Sequence, residues 1–132
     1  MSRRIRLPGG DLEYAVLGAL WDLGCASARE IYTQVGEPGG LVYTTVAKVL
    51  DRLYLKRLVS RARDGKAFIY KPTLKRELIE RARARETLGR ILGREPRPAI
   101  ATLVDAMEAM DPALLDELAR LVEARRRSRR GS

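Results

Sequence analysis

A chain of 132 residues, 45% of them hydrophobic, is long enough for one small domain or a small domain with an appendage, and folding would bury about two-thirds of its unfolded surface. The formal charge of +9 and a pI near 10.3 point to a polyanionic partner, and helical amphipathicity without a long apolar run favours nucleic acid over membrane. A single cysteine and no histidine exclude an internal disulfide framework, remove the usual metal ligand and the commonest general base, and leave no constellation for catalysis or a cofactor. No segment approaches the roughly eighteen apolar residues of a membrane span, and the N-terminus carries no apolar signal-peptide core, so the expected location is the cytoplasm.

In chain order, MSRRIRLPGG places Arg3, Arg4 and Arg6 ahead of a Pro-Gly-Gly turn signal, and this reads as a disordered basic arm with weak electrostatic help for a polyanion. A first helix is expected over about Asp11–Leu23, with Leu12, Ala15, Val16, Ala19, Leu20 and Leu23 on one face and Gly24 as its left-handed stop. Cys25 falls in a brief apolar link, where a small buried thiol is expected. Ser27 and Glu30 have capping-box spacing, so a second helix starts there and presents Ala28, Ile31, Tyr32 and Val35 to the core. Glu37-Pro38-Gly39-Gly40 ends it.

The stretch from Leu41 to Leu58 is the centre of the chain. Val46, Val49, Leu50, Leu53 and Tyr54 recur at the spacing of one helical face, while Thr45, Lys48 and Arg52 recur on the opposite one. One side suits a core; the other carries the hydroxyls and cations that hydrogen-bond base edges and phosphates in a major groove. Thr44 is a candidate cap for this helix. Two short runs follow, Leu58–Arg63 and Lys66–Lys71, joined by Asp64-Gly65, a preferred two-residue hairpin turn. Val59, Ala62, Phe68 and Tyr70 supply apolar faces, Arg61, Arg63, Lys66 and Lys71 supply cations, and Pro72 ends the second strand. Three helices and a hairpin in this order make a winged helix-turn-helix. Between Val42 and Pro72 eight Lys or Arg face only two acids, Asp51 and Asp64.

From Thr73 the pattern is helical. Leu74, Leu78, Ala82, Leu88, Ile91 and Leu92 thread one helix, with Glu77–Arg81 and Glu86–Arg90 at i, i+4. Pro96 and Pro98 punctuate the chain before a helix presenting Ile100, Leu103, Val104 and Met107. Asp111-Pro112 then opens a last helix carrying Leu114, Leu118, Leu121 and Val122. These stripes need covering. The economical cover is the same region of a second chain, giving a homodimer through Leu88, Ile91, Leu92, Ile100, Leu103, Val104, Met107, Leu114, Leu118 and Leu121; folding back onto the chain's own hairpin domain is the alternative. RRRSRR, Arg125 to Arg130, reads as a frayed basic tail. The expected fold is mainly α with a small β-hairpin wing: an arm at 1–10, a winged-helix DNA-binding domain at 11–72, a helical dimerisation region at 73–124 and a disordered tail at 125–132.

The run LVYTTVAKVLDRLYLKRLV with DGKAFIYKP resembles the BlaI/MecI/CopY family of penicillinase-type repressors, and DLEYAVLGALWDLG with SAREIY resembles that family's first two helices. The resemblance is ordered from about Gly10 to Pro72; beyond that it rests on helix count and the Asp-Pro start of the last helix. It implies a bacterial homodimer of winged helices that sits on a palindromic operator in double-stranded DNA and blocks transcription. It also implies that Tyr43, Thr44, Thr45, Lys48 and Arg52 occupy recognition-helix positions and that Arg63 and Lys66 occupy wing positions. The family's antibiotic-responsive branch is released when a regulatory protease cuts an Asn-Phe bond; the nearest counterpart here is Leu103-Val104, and the chain contains no Asn. The metal-responsive branch ends in a cysteine cluster with no counterpart among these residues, so copper sensing is not implied. Two readings of other classes stand beside this one: a nonspecific nucleoid-type DNA binder, favoured by the basic ends, and a winged-helix protein-interaction adaptor.

Overall fold

The structure is a computed structural model that describes residues 6–131; Arg3 and Arg4 of the basic arm lie outside the described residues. The chain divides into two compact units, Met1–Arg85 and Glu86–Ser132. In the first, the order is α1 (Asp11–Leu23), β1 (Ala26–Ser27), α2 (Ala28–Ile31) running on as a π-helical turn at Tyr32–Gly36, α3 (Tyr43–Leu55), β2 (Val59–Asp64), β3 (Ala67–Pro72) and the start of α4 (Arg76–Leu92). The core is shared by α1, α2, α3, the sheet and one residue of α4.

α1 stops where Gly24 turns to φ +85 and its N–H donates to the Leu20 carbonyl at 2.7 Å. Its buried residues are Glu13, Val16, Leu17, Ala19 and Leu20, whereas Ala15 and Leu23, expected inside, are exposed. The difference arises because α2, α3 and β3 all pack against this helix, so the covered arc is displaced to include Leu17. Cys25 is exposed rather than buried. Cys25 sits in the bend after Gly24, and the next residue, Ala26, begins β1 and takes the core position.

α2 opens with the expected capping box: the Glu30 N–H donates to Ser27 Oγ at 3.2 Å and the Ser27 N–H to Glu30 Oε1 at 3.0 Å. Its π-helical continuation brings Gly36 against α3, where a Cβ would stand 2.7 Å from Tyr32 Cδ1 and 2.9 Å from Val46 Cγ2. Only a residue without a side chain fits.

The sheet has the order β1-β3-β2, all antiparallel. Ala26 pairs with Tyr70, and the hairpin runs in register from Val59↔Pro72 to Asp64↔Ala67. That register moves the two-residue loop one position along from Asp64-Gly65 to Gly65-Lys66, with Gly65 at φ +65 in its first position. It also separates Ala62, which is exposed, from Val59: Val59, Arg61 and Arg63 share one face with Phe68 and Tyr70, and Ala62 lies on the other.

α4 is tied to α1. Ile79 is fully buried, Trp21 Nε1–H donates to the Leu74 carbonyl at 2.9 Å, and Arg76 donates to Asp22 at 2.9 Å and to the Gly18 carbonyl at 3.2 Å. Leu78, expected on the inner face, is 44% exposed. Among the described residues neither expected pair, Glu77–Arg81 nor Glu86–Arg90, closes; the arginines that do bridge, Arg76 and Arg83, reach across to Asp22 and Asp11 of α1. The first unit therefore continues to Arg85, past the Pro72 limit read from the pattern.

The second unit holds the end of α4, then α5 (Pro96–Met110) and α6 (Ala113–Arg130), which pack on each other. Pro96 opens α5, and the Ala113 N–H donates to Asp111 Oδ1 at 3.0 Å at the start of α6. Neither α5 nor α6 buries a single residue. Leu92, Leu103, Val104, Met107, Leu114 and Leu118 are half-covered, while Leu88, Ile91, Ile100 and Leu121 are exposed. The arginine-rich end is helical to Arg130 rather than frayed. Arg is a good helix former, Glu123 lies 3.9 Å from Arg127 and 3.2 Å from Arg130, and cations are favoured at a helix C-terminus.

Candidate nucleic-acid interface

Burial of Val46, Val49, Leu50 and Leu53 fixes which side of α3 meets solvent. On that side Thr44, Lys48 and Arg52 stand in line at i, i+4, i+8 and are exposed; Thr45 beside them is half-buried. The helix begins at Tyr43 with Val42 as its N-cap, and no side chain caps it, so Thr44 belongs to the first turn instead of preceding it. The Thr45 and Val46 N–H groups return to the Val42 carbonyl, and the others of the first turn remain open to an anion.

Tyr43, 38% exposed, is held by α2: its ring meets Tyr32 edge-on at 5.9 Å, and the Arg29 guanidinium lies 4.7 Å above it. Arg29 was not among the residues the sequence singled out. Nothing local in SAREIY marks it; its position beside Tyr43 comes from the packing of α2 on α3.

At the other end, α3 closes in a Schellman arrangement, with the Leu58 N–H donating to the Leu53 carbonyl and the Arg57 N–H to that of Tyr54, both at 2.9 Å. Arg57 takes the left-handed position, φ +63, which glycine usually fills. Tyr54, expected in the core, is 38% exposed and stacks under Arg61 at 3.9 Å.

Two of the eight cations in this stretch are committed within the fold. Lys56 Nζ donates to Glu13 Oε1 at 2.9 Å, and the Gly9 N–H donates to Glu13 Oε2 at 3.0 Å, which accounts for the one buried charged residue among the described residues. Arg61 donates to Asp51 at 3.3 Å. Lys48, Arg52, Arg57, Arg63, Lys66 and Lys71 remain exposed. Arg63 lies 5.3 Å from the Phe68 ring, and Lys66 sits in the hairpin loop. The fold thus brings Tyr43, Thr44, Thr45, Lys48 and Arg52 onto one helix, with Arg63 and Lys66 on the adjoining hairpin. Among the described residues no cluster of three or more His, Cys, Asp or Glu is placed to hold a metal ion, and no helix is long and apolar enough to cross a membrane.

A helix-turn-helix whose third helix presents a polar face beside a cationic hairpin defines a winged-helix protein. The family model described as penicillinase repressor matches residues 9–124, and the chain belongs to that family. It is a family of transcriptional repressors, not of enzymes. The transcriptional regulator BlaI of Mycobacterium tuberculosis, in strains CDC 1551 / Oshkosh and H37Rv, is 40% identical over 73 residues, 54% of this chain and 51% of the relative. The chain spans about half the length of the curated relatives it matches. The solution structure of the DNA-binding domain of the repressor BlaI is similar with a TM-score of 0.50 at 20% identity, over 55% of this chain and 90% of that one. The complex structure of hsRosR-S1 is similar with a TM-score of 0.50 at 21% identity, over 81% and 95%. At such identities these two likenesses concern the fold.

Proposed function

We propose that the chain is a sequence-specific transcriptional repressor that acts as a homodimer on a palindromic operator in the bacterial cytoplasm. The observation that carries this reading is the two-sidedness of α3: four buried apolar residues hold it, while Thr44, Lys48 and Arg52 line its open face next to the cations of the hairpin. α3 enters the major groove, where Tyr43, Thr44, Thr45, Lys48 and Arg52 meet base edges and phosphates, and Arg63 and Lys66 lie along the backbone. The hairpin supplies a salt-dependent affinity, and each good base contact supplies about 1–3 kcal/mol of discrimination.

The region from Thr73 to Ala124 dimerises in this reading, through Leu88, Ile91, Leu92, Ile100, Leu103, Val104, Met107, Leu114, Leu118 and Leu121. Its support is the absence of any buried residue in α5 and α6 of the single chain. Two recognition helices about one DNA turn apart then select a palindrome, and repression follows from occupying a promoter.

The test is a titration of genomic fragments, including DNA upstream of the protein's own gene, against competitor DNA at two salt concentrations, with the mass of the free protein measured alongside. A dimer that prefers one palindromic fragment by about a thousandfold is the expected result. Uniform binding that vanishes with salt would replace the repressor with a general DNA coater, and absence of binding would leave a protein-interaction adaptor.

A further inference from the structure

The hairpin is anchored to the core at its base and through the part-buried ring of Phe68. Val59 and Tyr70 are buried, but every residue from Ala62 to Ala67 is exposed. The outermost polar attachment of the hairpin to α3 is Arg61. Its guanidinium lies 3.9 Å from the ring centre of Tyr54 in the last turn of α3 and 4.5 Å from that of Phe68 on β3, and Nη1 donates to Asp51 Oδ1 of α3 at 3.3 Å. Its side chain is 27% exposed, whereas Arg63, Lys66 and Lys71 on the same hairpin are open to solvent.

A guanidinium stacked on two rings and paired with a carboxylate has its plane fixed and its charge already partnered. We propose that Arg61 is a positioning residue: it braces the wing against the C-terminal half of α3, so that Arg63 and Lys66 are held at one spacing from Thr44, Lys48 and Arg52. The proposal rests on the DNA-binding reading above and adds that the angle between wing and helix is set by a side chain that does not itself touch DNA. Arginine is required for this. A lysine keeps the charge but offers no plane to stack and no fork to fix the geometry.

Arg61→Lys therefore separates the brace from a phosphate contact, and Asp51→Ala does so from the other side. In the full chain, with thermal melts confirming that both variants fold, the brace predicts that Arg61→Lys weakens binding to the selected fragment about tenfold. Its salt dependence and its affinity for competitor DNA stay as in the parent chain. Asp51→Ala, which removes a negative charge beside DNA and on charge alone would tighten binding, weakens it too. In the free protein, the Arg61 side-chain protons are shifted upfield by the rings, and amide exchange at residues 62–67 accelerates in Arg61→Lys. An Arg61→Lys variant that binds as the parent does, with Arg61→Gln reducing the salt slope by about 0.9 per protomer, would make Arg61 a phosphate contact and overturn the proposal. Unshifted Arg61 protons and unchanged exchange at the hairpin tip would overturn it without reference to DNA. A parent chain that selects no fragment would instead count against the repressor reading.

Discussion

Arg57 holds a backbone conformation that costs a non-glycine residue about 1–2 kcal/mol, at φ +63 in the turn that closes α3. Arg57→Gly is expected to stabilise the first unit by about 1 kcal/mol, read as a higher urea midpoint at unchanged slope. Gly36 is the converse. With Tyr32 and Val46 already within 3 Å of where a Cβ would be, Gly36→Ala overpacks the contact between α2 and α3 and should lower stability by about 1–3 kcal/mol in the same measurement. Glu13 joins the turn before α1 to the end of α3 through Gly9 and Lys56. Removing its carboxylate in Glu13→Ala is expected to cost about 1.5–3 kcal/mol, the range for hydrogen bonds to charged groups. None of these three residues stands on the open face of α3, so losses of DNA binding in Gly36→Ala and Glu13→Ala should follow the fraction unfolded.

At the scale of elements, α4 decides where the first unit ends. A fragment stopping at Pro72 lacks Ile79, the Leu74 carbonyl that receives the Trp21 indole, and the Arg76 bridges to α1. Loss of a buried isoleucine side chain alone costs about 2–5 kcal/mol, a large share of what a domain of this size has in hand. A fragment stopping at Arg85 should therefore melt cooperatively, whereas one stopping at Pro72 should melt far lower or show no transition by circular dichroism. The hairpin carries a separate expectation. Arg63→Gln with Lys66→Gln should leave the melting temperature unchanged and flatten the dependence of log binding constant on log salt by about 0.9 for each phosphate that the hairpin no longer neutralises.

For the whole molecule, the issue is what covers the apolar residues of the second unit. Ile100 and Leu121 are 50% and 44% exposed in the single chain, so charging them in Ile100→Lys with Leu121→Lys disturbs little within one copy. If they lie in a dimer interface, the doubly substituted chain sediments as a monomer. Its affinity for a two-half-site operator then falls by about a hundredfold or more, because the second recognition helix no longer binds as part of the same molecule. A dimer mass retained in that variant would remove these residues from the interface.

The first three helices and the hairpin were legible in the sequence because their signals are local: the 3.6-residue recurrence of Val46, Val49, Leu50 and Leu53, the Ser27–Glu30 capping box, and a glycine-containing turn between alternating runs. The open face of α3 was legible for the same reason, since its inward residues define its outward ones. Tertiary structure alone decided the rest. β1 is too short to carry a pattern and exists because β3 is there to pair with it. Leu17 and Ile79 are inside because several elements converge on them, and Tyr54 is outside because Arg61 meets it there. Which cations remain free is likewise a matter of distant partners: Lys56 and Arg61 look like Lys48 and Arg63 in the sequence, and only the fold brings Glu13 and Asp51 within hydrogen-bonding distance of them.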